Sequence, residues 1–147
     1  MTQEDKELLL KDLSARLPYG VIVLEDIDKT FDGGCVSELV TITEIKGEKM
    51  FLTKNSLTPV TIEEIRPYLR PMSSMTEKEK RHISKMMCLR TYDDGVVHDM
   101  TYPVYTPYYV MEDCLSYLRS IHVDYSGLIE KDLALVAPEG MYDLKEK

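Results

Sequence analysis

Three histidines (His82, His98, His122) and three cysteines (Cys35, Cys88, Cys114) are the residues of this 147-residue chain best suited to proton transfer, nucleophilic attack or metal binding. A thiol nucleophile needs a base beside it and a loop to stabilise the oxyanion. Cys88 and Cys114 fall instead on apolar helical stripes, where buried and inert cysteine is the expected state, and no Gly-rich elbow accompanies any of the three. A zinc site needs four ligands in close pairs, whereas Cys88, His98, Cys114 and His122 are widely and irregularly spaced. His98 precedes Asp99, but neighbours in a loop rarely face one another. His82 lies among Lys80, Arg81 and Lys85 on a predicted helix. His122 closes another, where a cation complements the helix dipole. Asp32-Gly33-Gly34 is too short for a phosphate loop and lacks a following Lys-Ser/Thr. The acidic pairs Glu25-Asp26 and Asp93-Asp94 read as solvated loops. The pattern points to no catalytic residue, no cofactor and no metal.

Tyrosine is the unusual residue. There are ten, against two Phe and no Trp, and Tyr92, Tyr102, Tyr105, Tyr108, Tyr109 and Tyr117 cluster in one region. Tyr joins a large apolar face to a polar tip, which suits a protein interface. The same rings also suit a helical core, or base stacking on a single strand. No Lys or Arg lies between Asp93 and Leu118 to accompany stacking. Tyr102, Tyr105, Tyr108 and Tyr109 are therefore the candidate partner-binding residues. The basic stretch from Lys78 to Arg90, with Arg66 and Arg70 before it, supplies a nucleic-acid alternative built on Arg66, Arg70, Lys78, Arg81 and Lys85. Glu77 and Glu79 dilute it, as a solvated helix face would require.

The elements that must hold these residues are announced by capping signals. Thr2-x-x-Asp5, Thr61-x-x-Glu64 and Thr76-x-x-Glu79 each place a hydroxyl and an acid at a helix start. Leu9, Leu10, Leu13 and Leu17 make a helical stripe that Pro18 and Gly20 end. Val21 to Leu24 reads as a strand, Asp32-Gly33-Gly34 as a turn, and the β-branched run within Val36 to Ile45 as a second strand. Lys46-Gly47-Glu48 suits a hairpin leading to Met50, Phe51 and Leu52. Pro59, Pro67 and Pro71 leave room only for a short helix over 61–65. Helices are predicted from Glu77 to about Arg90, broken by Asp93-Asp94-Gly95, and from a Thr106-Pro107 start through Met111, Cys114, Leu115, Leu118 and Ile121. A short helix near Leu128 to Lys131 follows, and Pro138 and Gly140 close the ordered part.

The bulk properties bound the class. Apolar residues make up 44% and charged residues 30% of the chain, an ordinary globular balance. The net charge of −8 argues against general affinity for nucleic-acid phosphates. An odd number of cysteines without a C-x-x-C pair fits free thiols in a reducing compartment. No signal peptide opens the chain, and no apolar run approaches the ~20 residues of a membrane span. A cytoplasmic protein is expected.

Three strings are familiar: Leu17-Pro18-Tyr19-Gly20-Val21; Tyr68-Leu69-Arg70-Pro71-Met72-Ser73-Ser74-Met75-Thr76-Glu77; and Asp124-Tyr125-Ser126-Gly127-Leu128-Ile129-Glu130-Lys131 with Ala137-Pro138-Glu139-Gly140-Met141-Tyr142. Together they make the chain resemble a group of uncharacterised proteins of gut Bacteroides-type bacteria, often encoded in phage-like or other mobile regions. The resemblance implies a bacterial or phage context and carries no activity. The expectation is one α+β domain over 1–147: an N-terminal helix, a three-stranded antiparallel meander in a β-rich part (18–57), and a helical C-terminal half (61–137). Its expected role is non-enzymatic binding of another protein. A nucleic-acid-associated accessory or regulatory protein and an enzyme with an unrecognised site are the alternatives.

Overall fold

The structure, a computed structural model, describes residues 1–25, 38–52, 55–89 and 108–142. Helix α1 (Gln3–Arg16) starts at the expected box: Thr2 Oγ1 accepts from the Asp5 N–H, and the Asp5 carboxylate accepts from the Thr2 N–H. Leu9 and Leu13 of its stripe are fully buried. A 3-10 turn over Leu17–Tyr19 ends it, with Gly20 at φ +69°, a conformation that costs glycine least.

The sheet has six strands: β1 (Ile22–Glu25), β2 (Glu38–Lys46), β3 (Lys49–Leu52), β4 (Asn55–Thr61), β5 (Ile65–Leu69) and β6 (Leu135–Val136). Their order is β4-β3-β2-β1-β5-β6, antiparallel except for the parallel β5–β6 pair. β1, β2 and β3 form the expected meander, turning at Gly47 and Glu48 with Gly47 at φ +62°. A bulge between Ile42 and Glu44 shifts the register against β3. The shift keeps Val40, Ile42 and Ile45 on the core face and Glu44 outside, because one extra residue reverses which side each later residue faces.

Beyond position 57 the expectation needs correction. The segment read as mainly helical opens with β4 and β5, and only a 3-10 turn over Ile62–Glu64 carries the Thr61 box. Prolines do not exclude these strands. Pro59 lies on the edge strand β4, where a missing N–H is tolerated. Pro67 is interior, but strand alternation points its nitrogen to the β6 side, and β6 begins only at Leu135, opposite Tyr68. The missing donor therefore faces no strand. Residues 128–131 form turns in place of the expected short helix, with the Lys131 N–H on the Gly127 carbonyl at 3.3 Å. Asp124 takes the Leu128 and Ile129 amides on its carboxylate, as a helix cap would, and the turns end at Asp132, whose φ is +57°.

Helices α2 (Glu77–Leu89) and α3 (Tyr108–Ser120) pack together. The main core joins α1 to the sheet through Leu9, Leu13, Val23, Ile42, Met50, Ile65, Leu69 and Leu128. A second cluster of Met75, Leu118, Ile121 and Val123, flanked by Ile83 and Tyr117, holds the helical pair. The expected turn at Asp32-Gly33-Gly34, the break at Asp93-Asp94-Gly95 and the Thr106-Pro107 start lie outside the described residues. Among the described residues, no helix is long and apolar enough to cross a membrane.

Candidate interaction sites

The end of β5 is where sheet, helices and C-terminal segment meet. Val23 pairs with Pro67 and Leu24 with Arg66, so Ile22 and Tyr68 would make the next hydrogen-bonded pair. The Tyr142 hydroxyl stands there instead. It accepts from the Ile22 N–H at 2.9 Å and donates to the Tyr68 carbonyl at 2.8 Å. Two residues on, just past the end of β5, the chain has changed partner. The Arg70 N–H donates to the His122 carbonyl, and the Asp124 N–H donates to the Arg70 carbonyl, both at 2.8 Å.

His122 sits at this exchange point. Its backbone takes φ +57°, and its ring stacks on Tyr142 with centroids 3.8 Å apart. The imidazole is only 3% exposed, and Nδ1 has no partner among the described residues. Burial, reinforced by the Arg16 and Arg70 guanidiniums, lowers its pKa to about 4. This corrects the reading of His122 as a helix-terminal cation: a ring shut away from water beside two fixed cations is neutral near pH 7. Burial likewise pushes the Tyr142 phenol up to about 12, so it stays protonated and can donate.

Beside this junction is a cleft of about 670 Å³. One wall is Arg70, Pro71, Ser74, Thr76 and Glu79; the other is the segment from Val136 to Gly140, with Tyr142. The first wall has the parts of an anion site, namely a guanidinium, hydroxyls and the amides of a helix start. The chain fills that site itself. Glu79 takes Arg70 Nη1 at 2.8 Å and Nη2 at 3.0 Å, and accepts the Thr76 N–H at 2.7 Å. These bonds, Arg70 foremost, hold the Glu79 carboxyl down at about 2. Ser74 Oγ is likewise committed, to the Pro71 carbonyl.

Below the junction a buried ion pair ties α1 to the C-terminal segment. Arg16 Nε donates to Asp12 at 2.6 Å and Nη2 to the Val123 carbonyl at 2.8 Å, while Ser126 Oγ reaches Asp12 at 3.2 Å. The Arg16 and Arg119 guanidiniums both lie over the Tyr125 ring, at 5.1 and 5.7 Å.

The tyrosine cluster of the sequence divides. Tyr117 is half-buried, its ring 4.4 Å from that of the exposed His82. Tyr108 and Tyr109, in the first turn of α3, are 77% and 51% exposed, beside Met111 at 52%. Tyr92, Tyr102, Tyr105, His98 and Cys35 lie outside the described residues. Cys114 is half-buried and makes no disulfide. Of the basic set, Lys78, Arg81 and Lys85 share one exposed stripe of α2 at helical spacing. Arg66 faces Asp132 at 3.4 Å, and Arg70 is locked to Glu79. No group of three metal-ligating side chains occurs among the described residues.

Sequence reasoning missed Val136 to Gly140, Tyr142 and the role of His122. Pro138 and Gly140 read only as an end to ordered chain, although the Ala137 to Tyr142 string was one of those carrying the resemblance. Comparison with protein-family models, with curated proteins and with solved structures found no match to the chain.

Proposed function

We propose that the protein is a non-enzymatic binding module, of phage-like or mobile-region origin, whose partner is another protein. The observation that carries this reading is the first turn of α3. Tyr108, Tyr109 and Met111 are all more than half exposed there, while Val110 between them is 1% exposed and anchors the turn in the core. Large amphipathic side chains on a fixed helical turn lose little conformational freedom on docking, and such residues dominate interface energetics. The polar groups of the cleft also favour binding over catalysis, since Glu79, Arg70 and Ser74 are engaged with one another or with backbone.

The test is a paired capture from bacterial lysate, using the wild-type chain and a Tyr108→Ser/Met111→Ser variant, with nuclease present. A protein retained by the wild type and lost by the variant, with an unchanged urea midpoint, is the expected result. Equal retention by both sinks the assignment. Loss of folding in the variant would place these rings in the core instead.

A further inference from the structure

We infer that residues 137–142 form an acid-released strap, which lifts from the sheet when His122 takes a proton and so removes one wall of the cleft. Val136 to Gly140 and Tyr142 are that wall. The strap starts where the Ala137 N–H donates to the Leu69 carbonyl at 2.8 Å. Beyond that point, every hydrogen bond from the strap to the rest of the described chain involves the Tyr142 hydroxyl. The Met141 N–H turns back within the strap, to the Pro138 carbonyl. Pro138, Glu139 and Gly140 are exposed. A segment with so few ties opens locally at a fraction of the cost of unfolding the domain. Lifting Tyr142 also strands no backbone group. Its hydroxyl stands between the Ile22 N–H and the Tyr68 carbonyl, which would be donor and acceptor of the next β1–β5 pair. Once the whole side chain has left, these two can bond each other or water.

His122 supplies the trigger. Tyr142 lines the cleft, and the buried imidazole stacks behind it. A protonated ring must donate from both nitrogens, yet Nδ1 has no partner among the described residues. Two cations face the ring, Arg16 from α1 and Arg70 from just past β5. The carboxylates of the surrounding elements are already spent. Asp12 is taken by Arg16, Glu79 by Arg70, and Asp124 by the amides of Ser126, Leu128 and Ile129. In the closed state an imidazolium is therefore a buried, unpaired charge beside two others, and it gains by reaching water. Arg16 is fully buried and Leu69 belongs to the main core, so admitting water from those sides breaches the core. Lifting the strap takes Tyr142 off the ring and leaves the core closed.

Glutamyl endopeptidase, which cleaves after Glu in mild acid as well as at neutral pH, reads the opening at Glu139. Its rate on the full chain is divided by its rate on a free peptide of the same local sequence at the same pH, so the ratio reports the open population. The ring holds its proton at about 4 when closed and at 6.5 when hydrated, so the ratio should rise about thirtyfold from about pH 7.5 to about pH 5. Below the unfolding midpoint this cleavage should depend only weakly on urea, because a short segment exposes little surface. Cleavage after Glu64, flanked by the buried Ile62 and Ile65, should follow the full unfolding slope. His122→Asn should abolish the acid-induced rise. Tyr142→Phe should raise the ratio at both pH values and keep the rise, which decides the matter if the asparagine variant does not fold. A ratio that ignores pH, a rise that survives His122→Asn, or an unraised ratio in Tyr142→Phe overturns the inference. So does a common urea slope at Glu139 and Glu64, which would make acid act on the whole fold. Neither variant touches Tyr108 or Met111, so this result and that for the α3 face are independent.

Discussion

Tyr142 holds two strands together with one oxygen. Its hydroxyl serves Ile22 and Tyr68 at the point where β1 and β5 stop pairing directly. Tyr142→Phe keeps the ring on His122 but leaves a half-buried N–H and carbonyl unserved. A loss of about 1–3 kcal/mol is expected, read as a lower urea midpoint with an unchanged slope. His122 stacks on the same ring and carries a pH dependence. Its pKa is about 4 in the fold, against an ordinary value of 6.5. Between those values the unfolded chain binds the proton more readily, so stability falls as pH drops from about 6.5 to about 4 and the histidine contributes nothing further below that. The full shift corresponds to about 3 kcal/mol. His122→Asn accepts the positive φ readily and should flatten the stability curve in this window. A curve equally steep in the variant would move the effect to other groups.

At the scale of elements, Glu79 decides how α2 meets the sheet. It caps the helix, closes on Arg70 and so fixes one wall of the cleft. Glu79→Gln keeps an acceptor but loses the charge. It should cost about 1–2 kcal/mol, since the pair is partly solvated, and should speed amide exchange in the first turn of α2 first. The carboxyl is held near 2 against an ordinary 4.5. Its contribution is therefore present above about 4.5 and lost as pH falls towards 2, a window that overlaps that of His122 only at its upper edge. This element shows what was legible in the sequence. Thr76-x-x-Glu79 announced the helix start because capping is local, as did the box at Thr2, and Gly47 announced its turn for the same reason, whereas the box at Thr61 opens only a 3-10 turn. Arg70 could not be assigned to Glu79 from spacing alone, because a turn over 72–74 folds it back. β5 was hidden because Pro67 reads as a strand breaker until it is known which side of the strand has no neighbour. β6 was hidden because two residues carry no period. The cleft between these elements was illegible for the same reason: both of its walls depend on pairings between distant parts of the chain.

At the scale of the molecule, a buried ion pair within α1 ties that helix to Val123 and Ser126. Arg16 is fully buried and reaches Val123, 107 positions away, while Asp12 beside it receives Ser126. Two charges removed from water recover their desolvation cost only through good geometry and further hydrogen bonds. Asp12 has these, whereas Arg16 Nη1 has no partner among the described residues. The pair is thus better suited to fixing how α1 meets residues 122–126, and through them the Tyr142 junction, than to adding net stability. That distinction can be measured. Arg16→Met alone strands a buried carboxylate, and Asp12→Leu alone strands a buried guanidinium; each should cost about 3–5 kcal/mol. The double variant strands neither charge and should cost less than either single change in urea unfolding. In the same variant, amide exchange at residues 122–126 should quicken relative to the sheet, because the polar tether that fixed this segment has gone. If the double change costs the sum of the single ones, the two residues act separately and the junction is held by its apolar contacts and by Tyr142.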